Sequence, residues 1–201
     1  MAVPSEPYYV SFQTDRVPAT VDHTRSSPGP SSSGVDRAGY TSVRQRARVT
    51  FAWDNGPARA DGLVPFYAMS VNVFFWLDDF LVSVSSDYPE GSCAYDATRR
   101  HEFQSHIARP MRIFHGFRDI LIVRLSAIQI PTQRSPSWVR LPGVETLKQS
   151  LEQQVIQTVG AVKQQLVQAL RSDRTAQDSA SSYRVVYDQC PAEEWARGRG
   201  R

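Results

Sequence analysis

His101-Glu102-Phe103-Gln104-Ser105-His106 sets two imidazoles around one carboxylate within six residues. These are the side chains that hydrolytic zinc sites use: two imidazoles hold the ion, and an acid beside it takes the proton from the attacking water. In the H-E-x-x-H signature the histidines are four apart. On an α-helix that leaves them about 40° from alignment, so both reach one ion. Here the spacing is five. Five residues turn about 500°, which leaves His101 and His106 roughly 140° apart on a regular helix, and such a helix would split the site.

Pro110 bears on that difficulty. It follows His106 by four residues, so it brings no N–H to the His106 carbonyl and its ring crowds that group, favouring a kink or a widened turn. A single π-turn, with its i→i+5 repeat, would return His101 and His106 to one side. Glu102 would then be the general base, next to the ion rather than on it. A third ligand is required. His115, Asp119 and Asp178 are available, and none stands at the spacing of a known third ligand. The competing reading has no metal. In it His101 is a hydrogen-bonded core residue, His106 and His115 are half-exposed, and Glu102 is a solvated acid pairing Arg99 or His106. His23, the fourth histidine, stands far upstream.

Other chemistries find little support. There is no Gly-rich phosphate loop and no G-x-S-x-G elbow, and Cys93 lies two helical turns from His101 rather than beside it. The net charge is +3 over 201 residues, with basic excess at Arg44, Arg46 and Arg48 and in Arg197-Gly198-Arg199-Gly200-Arg201. No aromatic-interleaved basic face accompanies it, so no nucleic-acid partner is expected. The longest apolar run, Val71 to Val84, is interrupted by Asp78 and Asp79 and cannot span a bilayer. No export signal is legible at the N-terminus, for which the literal expectation is cytoplasm. Cys93 and Cys190 lack C-x-x-C spacing and would be ordinary core residues as separate thiols.

The elements that must position the motif follow from periodicity. Residues 15–42 carry Pro18, Pro28, Pro30 and the Ser31-Ser32-Ser33 run, and read as flexible. Tyr8 to Phe12 reads as a short strand or a free arm. Arg46 to Trp53 alternates as a strand. Ser70–Leu77 and Phe80–Ser85 read as a hairpin turning at Asp78-Asp79, which gives an antiparallel sheet of three or four strands. Ser92 is the N-cap expected for a helix from Cys93 to about Arg109, with Ala94, Ala97, Thr98, His101, Ser105 and Ala108 as its small-residue stripe. Ile113, Phe114, Phe117, Ile120, Leu121 and Leu125 continue an amphipathic helix past Pro110. Thr132 to Pro142 reads as a loop. Gly143 then opens the longest helix, whose apolar stripe runs from Val144 to Leu170 opposite a Gln-rich face; packed on the domain is the blander role for it, and oligomerisation through 144–170 the other. A last helix is expected near Asp178 to Tyr187.

The stretch from Ser83 to Leu121 resembles the predicted secreted zinc-dependent proteases of unknown function. The resemblance rests on a strand, Tyr88-Pro89-Glu90-Gly91-Ser92-Cys93, Tyr95, and then His101-Glu102 with a second histidine. It covers about forty of the residues and departs at Ser105, where the family pattern has its second histidine. It implies zinc on His101 and His106, a catalytic role for Glu102, and a periplasmic or secreted setting in which Cys93 and Cys190 could pair. The combined expectation is an α+β protein with residues 1–42 flexible, one zincin-like domain over 43–195 and an Arg/Gly tail over 196–201. Its small antiparallel sheet is followed by a kinked motif helix and a long C-terminal amphipathic helix. The function expected is zinc-dependent hydrolysis of a peptide or protein substrate. The alternative is a non-catalytic structural or interaction protein with a degenerate metal site.

Overall fold

A computed structural model describes residues 8–14, 20–22 and 38–196. The architecture is α+β. Strands β1 (Tyr8–Thr14), β2 (Thr20–Asp22), β3 (Gly39–Asn55) and β4 (Leu63–Val84) precede helices α1 (Cys93–Phe103) and α2 (Arg109–Ser126), joined by a π-turn at Gln104–Ala108. Strand β5 (Ser137–Arg140) then leads into α3 (Leu141–Gln177), α4 (Ala180–Tyr187) and α5 (Ala192–Ala196). No helix among the described residues is long and apolar enough to cross a membrane.

The sheet is mixed, with β4 at its centre: β1, β2, β3 and β5 all pair with it. β2 runs parallel to β4 over Leu81–Ser83, and β5 runs antiparallel to it over Leu63–Phe66. The five strands and their mixed sense differ from the smaller antiparallel sheet expected.

Two local departures have identifiable causes. The hairpin expected at Asp78-Asp79 does not form, and β4 is one strand through both residues. Its buried face nevertheless changes parity there, from Val71, Val73, Phe75 and Leu77 to Phe80, Val82 and Val84, with both Leu77 and Asp78 buried. One residue is thus out of step, and Asp79 takes φ 55, the left-handed conformation that aspartate tolerates better than most residues. The Asp-Asp pair makes a bulge where turn chemistry suggested a reversal. Likewise, the loop expected over 132–142 contains β5, whose Val139 pairs with Val64. Leu141 then opens α3 with Pro142 in its first turn, where the missing N–H costs nothing.

The chain divides into two compact units. The first takes residues 1–13, 46–75 and 115–166. Its core includes Val64, Phe66, Val71, Val73 and Phe75 from the sheet, and Leu121, Leu125, Leu151, Val155, Val159, Val162 and Leu166 from the helices. The Gln-rich face of α3 is exposed as its period requires. The ring of Trp53 stacks on Phe66 at 5.0 Å, and its Nε1 donates to Glu152.

The second unit takes residues 14–45, 76–114 and 167–201. Gly39–Ser42 belong to β3, so the last residues of the segment read as flexible are strand, with Gly39 and Thr41 buried. Most of the remainder of that segment, with His23, lies outside the described residues, as does the 197–201 tail. The disulfide Cys93–Cys190 joins the start of α1 to the chain just before α5, across a sequence separation of 97. Around it Trp195 meets Tyr88 and Tyr187 edge-on, at 5.3 and 4.7 Å. Ser92 caps α1 by accepting from the Tyr95 N–H, and a Glu194 oxygen accepts from the Ala94 N–H, which places a carboxylate at the positive end of the helix.

Candidate metal centre

The π-turn decides the site. Arg109 N–H donates to the Gln104 carbonyl, an i→i+5 bond, where a regular helix would use Ser105. Pro110 has no N–H to give the His106 carbonyl, so the α-ladder already lacks a bond here, and the wider turn sacrifices less than it would elsewhere. Helical structure continues through it from Cys93 to Ser126.

The wider turn offsets the extra residue between the histidines. The His101 and His106 rings lie edge to face, with centroids 5.3 Å apart. One ligand atom each from His101, Glu102 and His106 can be chosen so that all lie within 4.8 Å of one another. Such a group could hold a metal ion.

The buried stripe shifts as a result. Ahead of the turn Ala94, Ala97 and Thr98 are buried as expected, but the next buried positions are Glu102, His106 and Ile107, whereas His101 and Ser105 are half-buried and Ala108 is exposed. Glu102 is therefore no solvated surface acid, for it is only 1% exposed. Thr41 Oγ1 donates to Glu102 Oε2 at 2.6 Å, while Oε1 has no hydrogen-bond partner. Gly39 is required beside it. A Cβ there would stand 3.0 Å from both the Glu102 Cγ and Oε1, and 2.8 Å from Thr98 Cγ2. Burial, the largest influence, raises the Glu102 carboxyl above the ordinary carboxylate range, against the lowering effect of His106 and of the Thr41 hydrogen bond.

His101 has a matching vacancy in its hydrogen bonding. Its Nδ1 is 3.4 Å from Ser105 Oγ, and its buried Nε2 has no partner. Its ring lies 5.2 Å from that of Tyr183. Burial, followed by the charge of His106, lowers the imidazole pKa to about 4, so near neutral pH it is an uncharged lone-pair donor. His106 is held from the other side, its Nε2 3.2 Å from Asp178 Oδ1. A carboxylate at Nε2 is the usual means of orienting a ligating imidazole so that Nδ1 faces the ion. Asp178 is kept in place by Arg174, whose Nε lies 3.6 Å from Asp178 Oδ2 and whose guanidinium rests 4.7 Å from the Tyr40 ring centre.

His101 Nε2 and Glu102 Oε1 are both buried without a hydrogen-bond partner among the described residues, an unfavourable state that a shared cation would relieve. With His106 they supply two nitrogens and an oxygen, a donor set that suits zinc and other first-row divalent ions.

Of the residues named from sequence, the fold gathers His101, Glu102 and His106, and it brings Asp178 against His106. His115 and Asp119 belong to the first unit and are not in the group. Thr41, Gly39, Tyr183 and Arg174 were not anticipated. The first two lie in a segment whose composition reads as flexible, and nothing local marks the last two as neighbours of the motif. No family model, no curated protein and no solved structure matches the chain.

Proposed function

We propose that the chain is a zinc-dependent hydrolase of peptide or amide bonds, working at His101, Glu102 and His106. The observation that carries the proposal is the π-turn, with which one ligand atom from each of His101, Glu102 and His106 lies within 4.8 Å of the others despite the five-residue spacing. His101 offers Nε2 and His106, oriented by Asp178, offers Nδ1. Glu102 has one oxygen to give, because Thr41 occupies the other. We assign Oε1 as the third ligand, since Glu102 belongs to the same close group as the imidazoles, its Oε1 is the oxygen without a hydrogen-bond partner among the described residues, and three protein ligands are the usual complement of a catalytic zinc. A zinc ion so held supplies Lewis acidity at its remaining position, which brings water's pKa to about 7.

Metal analysis of the purified protein, with a peptide-hydrolysis assay, tests this directly. One zinc per chain is expected, with metal and turnover both lost in His101→Ala and His106→Ala. Glu102→Gln is expected to weaken metal binding at least tenfold. If that variant keeps the metal and loses only turnover, Glu102 is the general base that the motif suggests. Absence of metal from the wild type, with no uptake on titration, defeats the hydrolase reading.

A second reading is favoured by one observation. Glu102 is almost fully buried, tied to Thr41 and packed against Gly39, as a structural polar core would be. In that case the chain is an interaction protein whose histidine cluster supports the fold. Stoichiometric metal without turnover on any peptide or amide would favour it.

A further inference from the structure

Beside the histidine cluster the second unit has a cleft of about 230 Å³, lined by Tyr40, Thr41, His106, Arg171 and Arg174 among others. Among the described residues its lining includes two guanidinium groups and no carboxylate. Arg174 is fixed by Tyr40, on whose ring it rests and to which it is hydrogen-bonded, and by Asp178, so its guanidinium is held in place at the cleft. Arg171, three residues earlier on α3, is exposed and has no ion pair with any described residue. One arginine held in place and a second without an ion pair, lining one cleft, make a receptor for an oxyanion, because the planar fork matches a carboxylate or phosphate edge.

We propose that this cleft binds the terminal carboxylate of a small peptide, with Arg171 and Arg174 as the recognition pair. The size fits: the volume is below the roughly 300–1,000 Å³ of ordinary small-molecule sites, so the occupant is one or two residues rather than a long segment. The position fits too. His106 lines the cleft and also belongs to the histidine cluster, so a carboxylate held by the two arginines brings its nearest amide toward that cluster. The assignment of this peptide as substrate rests on the hydrolase reading. Binding of the carboxylate does not.

Calorimetric titration of the full chain with trialanine, as the free acid and as the C-terminal amide, separates the two. The free acid is expected to bind at least tenfold more tightly, and Arg171→Gln to lower its affinity about tenfold with an unchanged circular dichroism spectrum, as for losing one charged hydrogen-bond partner. Arg171 is the residue to change because Arg174 also holds Asp178. The His101→Ala variant, without metal, should still bind the free acid, since His101 does not line the cleft. If it does while the wild type proves metal-free, the carboxylate site stands and the hydrolase reading falls. Equal binding of acid and amide overturns the proposal, as does full affinity in Arg171→Gln. Inorganic phosphate that competes only weakly supports a carboxylate site, and phosphate binding tenfold tighter than the peptide reassigns the cleft and overturns it.

Discussion

His101 and Glu102 are neighbours in sequence with opposite responses to burial, and their titrations give a test at the level of single residues. With a folded pKa of about 4 against an ordinary 6.5, His101 stays unprotonated over a range in which the unfolded chain takes up a proton. Its contribution to stability is therefore complete above pH 6.5 and is lost as the pH falls toward 4. Glu102 is raised, so its contribution is complete below the ordinary 4.5 and declines as the pH climbs through the folded value. For metal-free protein the His101 ring resonances should titrate with a midpoint near 4. A midpoint near 6.5 would place the ring in water and remove the buried lone pair on which the site depends. The identities of His101, Glu102 and His106 were legible in the sequence because few residue types bind metal. The burial of Glu102 was not, since its partners Thr41 and Gly39 lie some sixty residues upstream, Thr41 by 61.

At the scale of elements, the π-turn is equivalent to one residue inserted in an α-helix. Gln104 is exposed and lies inside it. Deleting Gln104 should convert the turn to regular helix and bring the histidines to a spacing of four, with both still on one side. The deletion variant is thus expected to fold and to bind metal within about tenfold of the wild type, whereas inserting an alanine after Gln104 should abolish binding. Loss of metal in the deletion variant, with helicity intact, would show that the bulge itself shapes the site. The sequence disclosed the ingredients of this turn, the five-residue spacing and Pro110, but not which of a kink, a wide turn or a split helix would win. Strand β4 shows the same limit. Its alternation was readable on either side of Asp78-Asp79, yet turn residues and bulge residues share one chemistry, and only the pairing partners choose between them.

Over the whole molecule the long-range tie that can be weighed is the disulfide. Closing a loop of nearly a hundred residues restricts the unfolded chain by about 4 to 5 kcal/mol in the chain-entropy account, for the separation of 97 between Cys93 and Cys190. Cys93→Ser with Cys190→Ser should lower unfolding stability by a few kcal/mol in a denaturant titration, and reductant should affect only the wild type. An unchanged midpoint would mean that the packing of Trp195 on Tyr88 and Tyr187 already restricts these ends. The α+β class and the long Gln-faced helix were legible because periodicity is a local property. The five-strand mixed sheet was not, because β2 and β5 are short and owe their strand character to β4.

The contact between His106 and Asp178 also orders events in time. A chain leaving the ribosome presents the histidine motif long before the aspartate that orients His106, and the second half of the disulfide comes later still. Until then His106 lacks the carboxylate that orients it, and Cys93 is a free thiol, a soft ligand for any passing ion. If the cluster takes a metal as proposed, loading is therefore an event of the finished chain, and a protein released short of Asp178 would bind the ion more loosely.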